Sequence, residues 1–283
     1  MLFLLLVSLL WAFSFGLTKQ LTGLDGAFIS ATRLGLALLV FLPFLRFRAA
    51  TGRAALTLAG IGAVQFGLMY LAYNESYRFL KSYEVALFTL TTPVIVTLLA
   101  DAFDRTLRGR ALAAALVSVL GAGCVVAKSA AISGTLTGIA LVQLANLAFA
   151  FGQVAYRRWR RRHATVRDRE VFGWLYAGAF LVTLPVTLVR TPFASLSLTG
   201  TNVAILLYLG AIASGLGFFL WNLGAARVKS AGTLAAMNNA KVPLGVACSL
   251  LVFGERADLT RLLLGGGLMI LAVWLAETSP KSE

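Results

Sequence analysis

Charged residues are scarce in this sequence, and histidine and cysteine are almost missing from it. Asp, Glu, Lys and Arg make up 13% of the 283 residues, whereas soluble globular domains carry roughly 25%. The single histidine, His163, lies in a basic segment, and the two cysteines, Cys124 and Cys248, lie inside apolar runs. Such a chain offers no His/Cys cluster for a metal and no disulfide scaffold. We therefore expect neither a metal nor a cofactor.

Apolar runs take up most of the chain instead. Hydrophobic residues make up 59% of it, and the mean hydropathy is +0.85. An apolar helix needs about 20 residues to cross a bilayer, and runs of that length recur, without the alternation of a membrane β-strand. The opening run lacks the basic start and A-x-A site of a signal peptide. The sequence thus predicts an all-α membrane protein with ten transmembrane helices, at 2–18, 27–45, 56–77, 84–101, 111–127, 136–156, 171–189, 202–225, 231–252 and 262–276.

Basic residues outnumber acidic ones and give the chain a net charge of +14. With the N-terminus in the cytoplasm, 16 Lys and Arg residues fall in inside loops and 7 in outside loops. This bias follows the positive-inside rule and predicts a bacterial inner-membrane protein with both termini in the cytoplasm. The hydrophilic loop predicted at 157–170 contains "RRWRRR", which anionic lipid headgroups would attract. The lipid bilayer is thus an expected partner, and nucleic acid is not.

The two halves of the chain resemble each other, with a constant offset of 148 residues that grows by two before the last match. We place the first repeat at 1–128, the second at 134–277 and a cytoplasmic tail at 278–283. Five helices in each repeat is an odd number, so the second copy crosses the membrane in the opposite sense. Such inverted repeats are typical of secondary transporters. The aligned residues are Gly62 and Gly210, Gly67 and Gly215, Tyr73-Asn74 and Trp221-Asn222, Lys81-Ser82 and Lys229-Ser230, and Pro93 and Pro243.

Two stretches carry a resemblance to a known family. The opening "LLVSLLWAFSFGLTKQL" and the segment "PLGVACSLLVFGERADLTRLLLGGGLMILAVWL" resemble the EamA-type helices of the drug/metabolite transporter superfamily. The resemblance implies a ten-helix fold with a central cavity lined by helices 1, 3, 4, 6, 8 and 9, and peripheral helices 5 and 10 that would support a homodimer. It also implies small metabolites as substrates, often exported. The first repeat departs from the pattern, because "DAFDRTLRGR" lacks the Gly-Glu of "FGERADLTR".

A polar segment interrupts the ninth span. Lys241 lies about ten residues from each end of the span, roughly 15 Å from either interface, where a lysine costs about 3 kcal/mol. We expect it to face a wet cavity with Asn238 and Asn239, although a buried ion pair that only fixes packing is an alternative. Pro243 and Pro93 are predicted to kink their helices. The residues aligned with the polar segment in the first repeat are Phe88, Thr89 and Thr91, and we expect the two threonines to bind substrate as a neutral, hydroxyl-bearing half of the site.

Further polar and aromatic side chains lie at membrane depth. Arg33 could pair with an acidic group or bind an anion, and Glu75 could meet Arg33 or Lys241 in an ion pair that carries a coupling proton. For Arg33 we favour snorkelling to the outer interface, and Glu75 could equally pair with Arg78. Interhelical hydrogen bonds and an aromatic belt are alternatives for the remaining candidates. The further substrate-binding candidates are Asn146, Gln143, Asn222, Trp11, Phe15, Tyr70, Tyr73 and Trp221.

These residues predict a secondary active transporter, an exporter or exchanger, that works by alternating access around a central cavity. The expected substrate is a small polar metabolite, most of all an amino acid or another carboxylate, which Lys241 would attract. An exporter of cationic or lipophilic drug-like compounds is the alternative, but it would need a central carboxylate. An intramembrane enzyme is a more distant alternative. It would need paired carboxylates, a set of nucleophilic residues or a metal cluster at one depth in the membrane.

Overall fold

A computed structural model of the chain describes residues 1–21, 23–80, 85, 88–126, 135–228, 230–240, 242, 244 and 259–277. In these ranges the protein is helical, with no strand and with three short 3-10 turns at Leu42–Phe44, Phe47–Ala49 and Phe193–Ser195. The helices are α1 Leu2–Lys19, α2 Gly26–Phe41, α3 Arg53–Ser76, α4 Thr92–Asp104, α5 Gly109–Val126, α6 Leu136–Arg162, α7 Asp168–Arg190, α8 Gly200–Arg227, α9 Ala231–Met237 and α10 Leu259–Glu277.

Five of these helices are long and apolar enough to cross a membrane, counted over the described residues: α2 with its 3-10 extension, α3, α6, α7 and α8. Their outer faces expose large apolar side chains such as Leu39, Leu56 and Leu181. In water such faces would be unfavourable, but a bilayer solvates them as well as a protein core does. The prediction of an all-α membrane protein is confirmed.

The helix contacts follow a twofold pattern. If each helix is exchanged with the helix five places away in the chain, the contacts below map onto one another. α2 packs on α7, α4 on α9 and α5 on α10, and each of these pairs maps onto itself. The contact of α1 with α8 is matched by that of α6 with α3, and the contact of α3 with α7 by that of α8 with α2. This is the arrangement that two inverted five-helix repeats would produce. The exact limits of the repeats stay a prediction.

A π-helical turn lies at corresponding places in α3 and α8, at Ala63–Leu68 and Tyr208–Leu216. The offset of 148 residues that aligns the two halves brings these turns into overlap. A π turn widens the helix, leaves backbone carbonyls with weaker partners and is frequent at functional sites. The two turns therefore mark the level in the bundle at which a site is most easily built.

Two glycines bring α3 and α7 into close contact. A Cβ on Gly62 would lie 1.9 Å from the carbonyl oxygen of Leu175, and one on Gly178 would lie 1.9 Å from that of Ala59. No side chain fits in either place, so the two backbones touch directly, as small residues allow in membrane proteins. This contact joins the first half of the chain to the second beside the π turn of α3.

Breaks near the two prolines interrupt the predicted fourth and ninth spans. Leu90 and Thr91 form a turn, and α4 begins directly after it with Pro93 in its first turn. Pro93 therefore does not kink a continuous helix as predicted, because the first turn is where a missing N–H costs nothing. In the second half α9 ends at Met237 and residues 238–240 form a turn. Pro243 and Lys241 lie outside the described residues.

The predicted hydrophilic loop at 157–170 is wrong in its first part. α6 continues to Arg162 and α7 begins at Asp168, so only five residues connect them. Hydropathy marks where a helix leaves the hydrocarbon core of the bilayer, and it does not mark where the helix ends. The helix dipole favours arginines in the last turn. They also have partners, since Arg157 donates to the Val228 carbonyl at 2.9 Å and Arg160 pairs with Asp168 at 2.8 Å.

Candidate substrate cavity

A cavity of about 120 Å³ lies where the two halves of the chain meet. Side chains from α1, α2, α3, the start of α4 and the segment before it line the cavity on the side of the first half, and side chains from α6 and α8 line it on the side of the second. The resemblance implied a lining from helices 1, 3, 4, 6, 8 and 9. The described part of α9 does not reach this cavity, and α2 contributes instead.

Aromatic rings form the wall that crosses the middle of the bundle. The ring of Trp11 lies 6.0 Å from that of Phe149, 5.6 Å from that of Phe218 and 5.0 Å from that of Trp221. Its Nε1 donates to the Ala213 carbonyl at 2.9 Å, a group that belongs to the π turn of α8. The turn thus fixes the orientation of Trp11, and both indole N–H groups of the wall are bonded, since that of Trp221 donates to Gln153.

Arg33 reaches the cavity from α2, two turns into the helix. Its side chain is 6% exposed, and its Nε donates to the Ser214 hydroxyl at 3.0 Å. The guanidinium carbon lies 4.6 Å from the centre of the Tyr70 ring, within cation–π range, and the Tyr70 hydroxyl is 2.9 Å from the Ser214 hydroxyl. Snorkelling to the interface, the favoured prediction for Arg33, is wrong, because Ser214 and Tyr70 hold the side chain inside the bundle.

Glu75 does not pair with Arg33. It binds Arg78 at 2.7 Å and Arg190 at 3.1 Å at the partly exposed end of α3. The predicted alternative, in which Glu75 pairs with Arg78, describes this geometry. Over the described residues, no carboxylate forms an ion pair with Arg33. Among the described residues, the cation in the cavity wall thus contacts a neutral hydroxyl and an aromatic ring.

The opposite wall is neutral and polar. Asn146 donates to the Phe88 carbonyl at 2.9 Å and Gln143 donates to the same oxygen at 3.2 Å, while the Thr91 hydroxyl donates to the Gln143 carbonyl oxygen at 2.8 Å. Phe88 can accept both bonds because the chain turns directly after it. Asn146 and Thr89 face the cavity, whereas Thr91 and Gln143 lie behind them. These four predicted residues are brought together.

A layer of side-chain amides closes one end of the cavity. Gln65 and Asn222 form two reciprocal hydrogen bonds of 2.9 and 3.1 Å between α3 and α8. Gln153 and Asn238 form another pair at 3.3 and 3.2 Å, and the Trp221 indole donates to Gln153 at 3.1 Å. We call these five residues the amide layer. It lies about one helical turn from the cavity lining, towards the ends of α6 and α8 and the starts of α1 and α3.

Several predicted binding residues therefore lie outside the cavity. Asn222, Asn238 and Trp221 belong to the amide layer, and Asn239 donates to the Leu90 carbonyl at 3.1 Å and to the Ser118 carbonyl at 3.4 Å. Lys241 and the side chain of Phe15 fall outside the described part of the chain. Tyr70 and Tyr73 do line the cavity, and the Tyr73 hydroxyl accepts a bond from Tyr77 at 2.7 Å.

The sequence reading missed Ser14 and Thr18, which line the cavity beside Trp11. Positions 11, 14 and 18 share one face of a helix, so this periodicity could have found them. Phe218 and Ser214 were also missed. Phe218 precedes the Trp221-Asn222 pair by one turn on α8, but no pattern in the sequence reveals that Ser214 meets Arg33.

Charged side chains other than Arg33 lie towards the helix ends or in the connections of the described chain. Asp101 and Asp104 bind Arg108 at 2.9 and 2.5 Å, and Asp104 also pairs with Arg158. No group of three His, Cys, Asp or Glu residues that could hold a metal is found in the described ranges. The described residues of the cavity lining include no carboxylate. The arrangement of apolar rings, amides and one guanidinium group can bind a small molecule.

Comparison with known proteins decides the family. The sequence model described as the EamA-like transporter family matches residues 1–127 and 136–278. The chain belongs to this family. As an EamA-like protein it is an integral membrane transporter of a small metabolite, in agreement with its helical fold and its enclosed cavity.

Relatives of this EamA-like transporter cover nearly its whole length. It is 43% identical over 277 residues to a protein of Pseudomonas aeruginosa named a probable biotin transporter, covering 96% of both chains. It is 36% identical to proteins of Salmonella typhimurium and Escherichia coli named biotin transporters, covering 96% of this chain and 91% of theirs. A solved crystal structure superposes with a TM-score of 0.78 over 97% of this chain and 96% of the other, and its 18% identity shows a shared fold alone.

Proposed function

We propose that this chain transports biotin, or a ring-bearing carboxylic acid of closely similar shape, by alternating access around the central cavity. Relatives named biotin transporters that align over nearly the full length support the substrate class. The observation that carries the proposal is the cavity itself, which combines an aromatic wall with one buried cation and no described carboxylate.

The chemistry of biotin suits this lining. The molecule joins an apolar fused-ring system with a neutral urea group to a flexible chain that ends in a carboxylate. Trp11, Phe149 and Phe218 offer apolar surface to the rings, and Asn146 and Thr89 offer polar atoms to the urea group. Arg33 supplies the only charge in the described lining. Small-molecule sites are typically built this way, from apolar walls with a few placed polar groups.

An amino acid suits the lining less well than predicted. Its ammonium group would need an acceptor of opposite charge, and the described lining contains no carboxylate. Arg33 would repel it. The same argument opposes a cationic drug as substrate, because a buried cation has a large desolvation cost without a partner. We therefore narrow the expected carboxylate substrate to one without a free ammonium group.

The amide layer supplies the closed gate that alternating access requires. One reciprocal amide pair joins α3 of the first half to α8 of the second, and the other joins α6 to the turn that follows α9. With both termini in the cytoplasm, as the charge bias predicts, this layer lies on the cytoplasmic side and Thr18, Tyr73 and Tyr77 lie toward the outside. The cavity of about 120 Å³ is smaller than the roughly 300–1,000 Å³ of most ligand sites, so the loaded state must be wider.

A role for Lys241 in binding the substrate is proposed from the sequence alone. Its depth in the ninth span makes it a second candidate for attracting an anionic substrate. Proton coupling and a homodimer through the outer faces of α5 and α10 are likewise proposed. Transport measured with and without an imposed pH gradient tests the first, and the mass of the purified protein–detergent complex tests the second.

Transport by purified protein tests the proposal. Proteoliposomes should accumulate or release radiolabelled biotin in a saturable manner, and unlabelled biotin should compete, whereas an amino-acid mixture should not. The direction of net flux distinguishes import from the predicted export or exchange. The matched control is Leu181→Ala, which changes only a lipid-facing side chain. Absence of biotin flux in protein that is shown to be folded would overturn the proposal.

A further inference from the structure

We infer that Arg33 binds the carboxylate of the substrate and thereby selects the acid over its neutral derivatives. The inference rests on the proposed function, because it names the group that recognises one end of a biotin-like molecule. Arg33 would be the residue that sets charge specificity in the cavity, and Ser214 and Tyr70 would be the residues that position it.

The guanidinium group keeps most of its hydrogen-bonding capacity free for a ligand. Its Nε is engaged by Ser214 at 3.0 Å, whereas Nη1 and Nη2 form no hydrogen bond with the described residues and the side chain lines the cavity. A guanidinium presents its donors in a planar fork that matches the two oxygens of a carboxylate. The orientation is thus suited to an incoming anion.

Burial makes the charge of Arg33 unfavourable until an anion binds it. A cation with 6% of its surface exposed has lost most of its hydration, and within the described chain no acidic side chain compensates it. Arg108, which lies outside the cavity, does have such compensation from Asp101 and Asp104. A substrate carboxylate would complete the missing ion pair at the moment of binding.

The support of Arg33 comes from both halves of the chain. Tyr70 lies on α3 directly after the π turn of the first half, and Ser214 lies within the π turn of α8 in the second. The Ser214 hydroxyl contacts both Arg33 and Tyr70. Anion binding at Arg33 is thus linked to the contact between the halves, whose relative movement transport requires.

The discriminating experiment compares an acid with its neutral analogue. Uptake of radiolabelled biotin is measured in proteoliposomes while unlabelled biotin or biotinamide, which has the same rings and no charge, competes. The wild-type protein should prefer the acid by about 10- to 100-fold, the range expected for hydrogen bonds to a charged group. Arg33→Gln should bring that ratio close to one and raise KM more than it lowers the maximal rate.

Two further variants separate binding from structure. Arg33→Lys keeps the charge but loses the fork, so it should restore part of the preference. Ser214→Ala keeps Arg33 and removes its support, so it should lower the ratio by a few-fold even if Arg33→Gln fails to fold. Arg190→Gln is the matched control, because it removes an arginine that pairs with Glu75 outside the cavity, and it should leave the ratio unchanged.

The outcomes separate the two proposals. An unchanged acid preference in folded Arg33→Gln or in Ser214→Ala would overturn the role of Arg33 while biotin transport stands. If the wild-type protein carries no biotin, the proposed function is wrong, and Arg33 is then tested by thermal stabilisation with other ring-bearing acids and their amides. Stabilisation by acids alone, lost in Arg33→Gln, would still support the role of Arg33, and equal stabilisation by amides would refute it.

Discussion

Replacing Asn222 with alanine should open the cavity at the end where we propose that the amide layer forms a gate. Asn222 and Gln65 exchange two buried hydrogen bonds of 3.1 and 2.9 Å across the two halves. Each such bond contributes about 0.5–1.5 kcal/mol, and about 0.6 kcal/mol on average between membrane helices. The pair therefore stabilises the closed state by about 1–2 kcal/mol, since it cannot persist once α3 and α8 separate.

A shift of this size changes the ratio of the closed to the open state by about 5- to 30-fold. It can be measured as a distance distribution between nitroxide labels at Thr51→Cys and Arg227→Cys, near the start of α3 and the end of α8, with Cys124 and Cys248 replaced by serine. Asn222→Ala should add a population with a longer distance. Asn74→Ala is the matched control, because the aligned Asn74 bonds to Gly26 and Ser30 within the first half.

A double-mutant cycle makes the reasoning refutable. Gln65→Ala should produce nearly the same shift as Asn222→Ala, and the double variant should add little to either. Independent, additive effects would mean that the two amides do not act as a pair. An unchanged distance distribution in both single variants would refute the assignment of the amide layer as a gate.

Three other perturbations follow from the same contacts. Gly178→Ala would place a Cβ 1.9 Å from the Ala59 carbonyl oxygen, so it should destabilise the protein by about 3 kcal/mol, visible as a lower melting temperature; unaltered melting would contradict the direct contact of α3 and α7. Trp11→Ala should abolish transport through loss of the aromatic wall, whereas Trp11→Phe should retain part of it. Asp104→Asn should lower thermal stability by about 1 kcal/mol or more, through its lost pairs with Arg108 and Arg158, without changing the acid preference.

The sequence predicts the fold well because the bilayer imposes a simple rule. Apolar runs of spanning length must be helices, and the repeated glycine and proline positions reveal two similar halves. The same rule fails at the ends of helices. The arginines of "RRWRRR" leave the apolar run yet continue α6 to Arg162, since hydropathy reports the solvent around a helix and not its hydrogen bonding.

The candidate site was predicted less completely than the fold. The sequence does not show how the helices are aligned along their axes, nor which side chains meet between distant parts of the chain. Asn222 and Trp221 were placed at the substrate because they are polar or aromatic at membrane depth, but they lie one turn beyond the cavity lining. A one-turn difference depends on how α8 packs against α1 and α3, which one sequence does not reveal. Arg33 was assigned to the interface because it lies only two turns into its span. Its partner Ser214 is 181 residues away, and no pattern in the sequence joins the two.

Direct binding of biotin tests the central claim most simply. Purified wild-type protein should bind radiolabelled biotin in a saturable manner with one site per chain, and free biotin should displace it while biotinamide should compete poorly. Arg33→Gln and Trp11→Ala should each weaken that binding at least tenfold. Absence of saturable binding to folded wild-type protein, or binding that both variants leave unchanged, would contradict the account of the cavity.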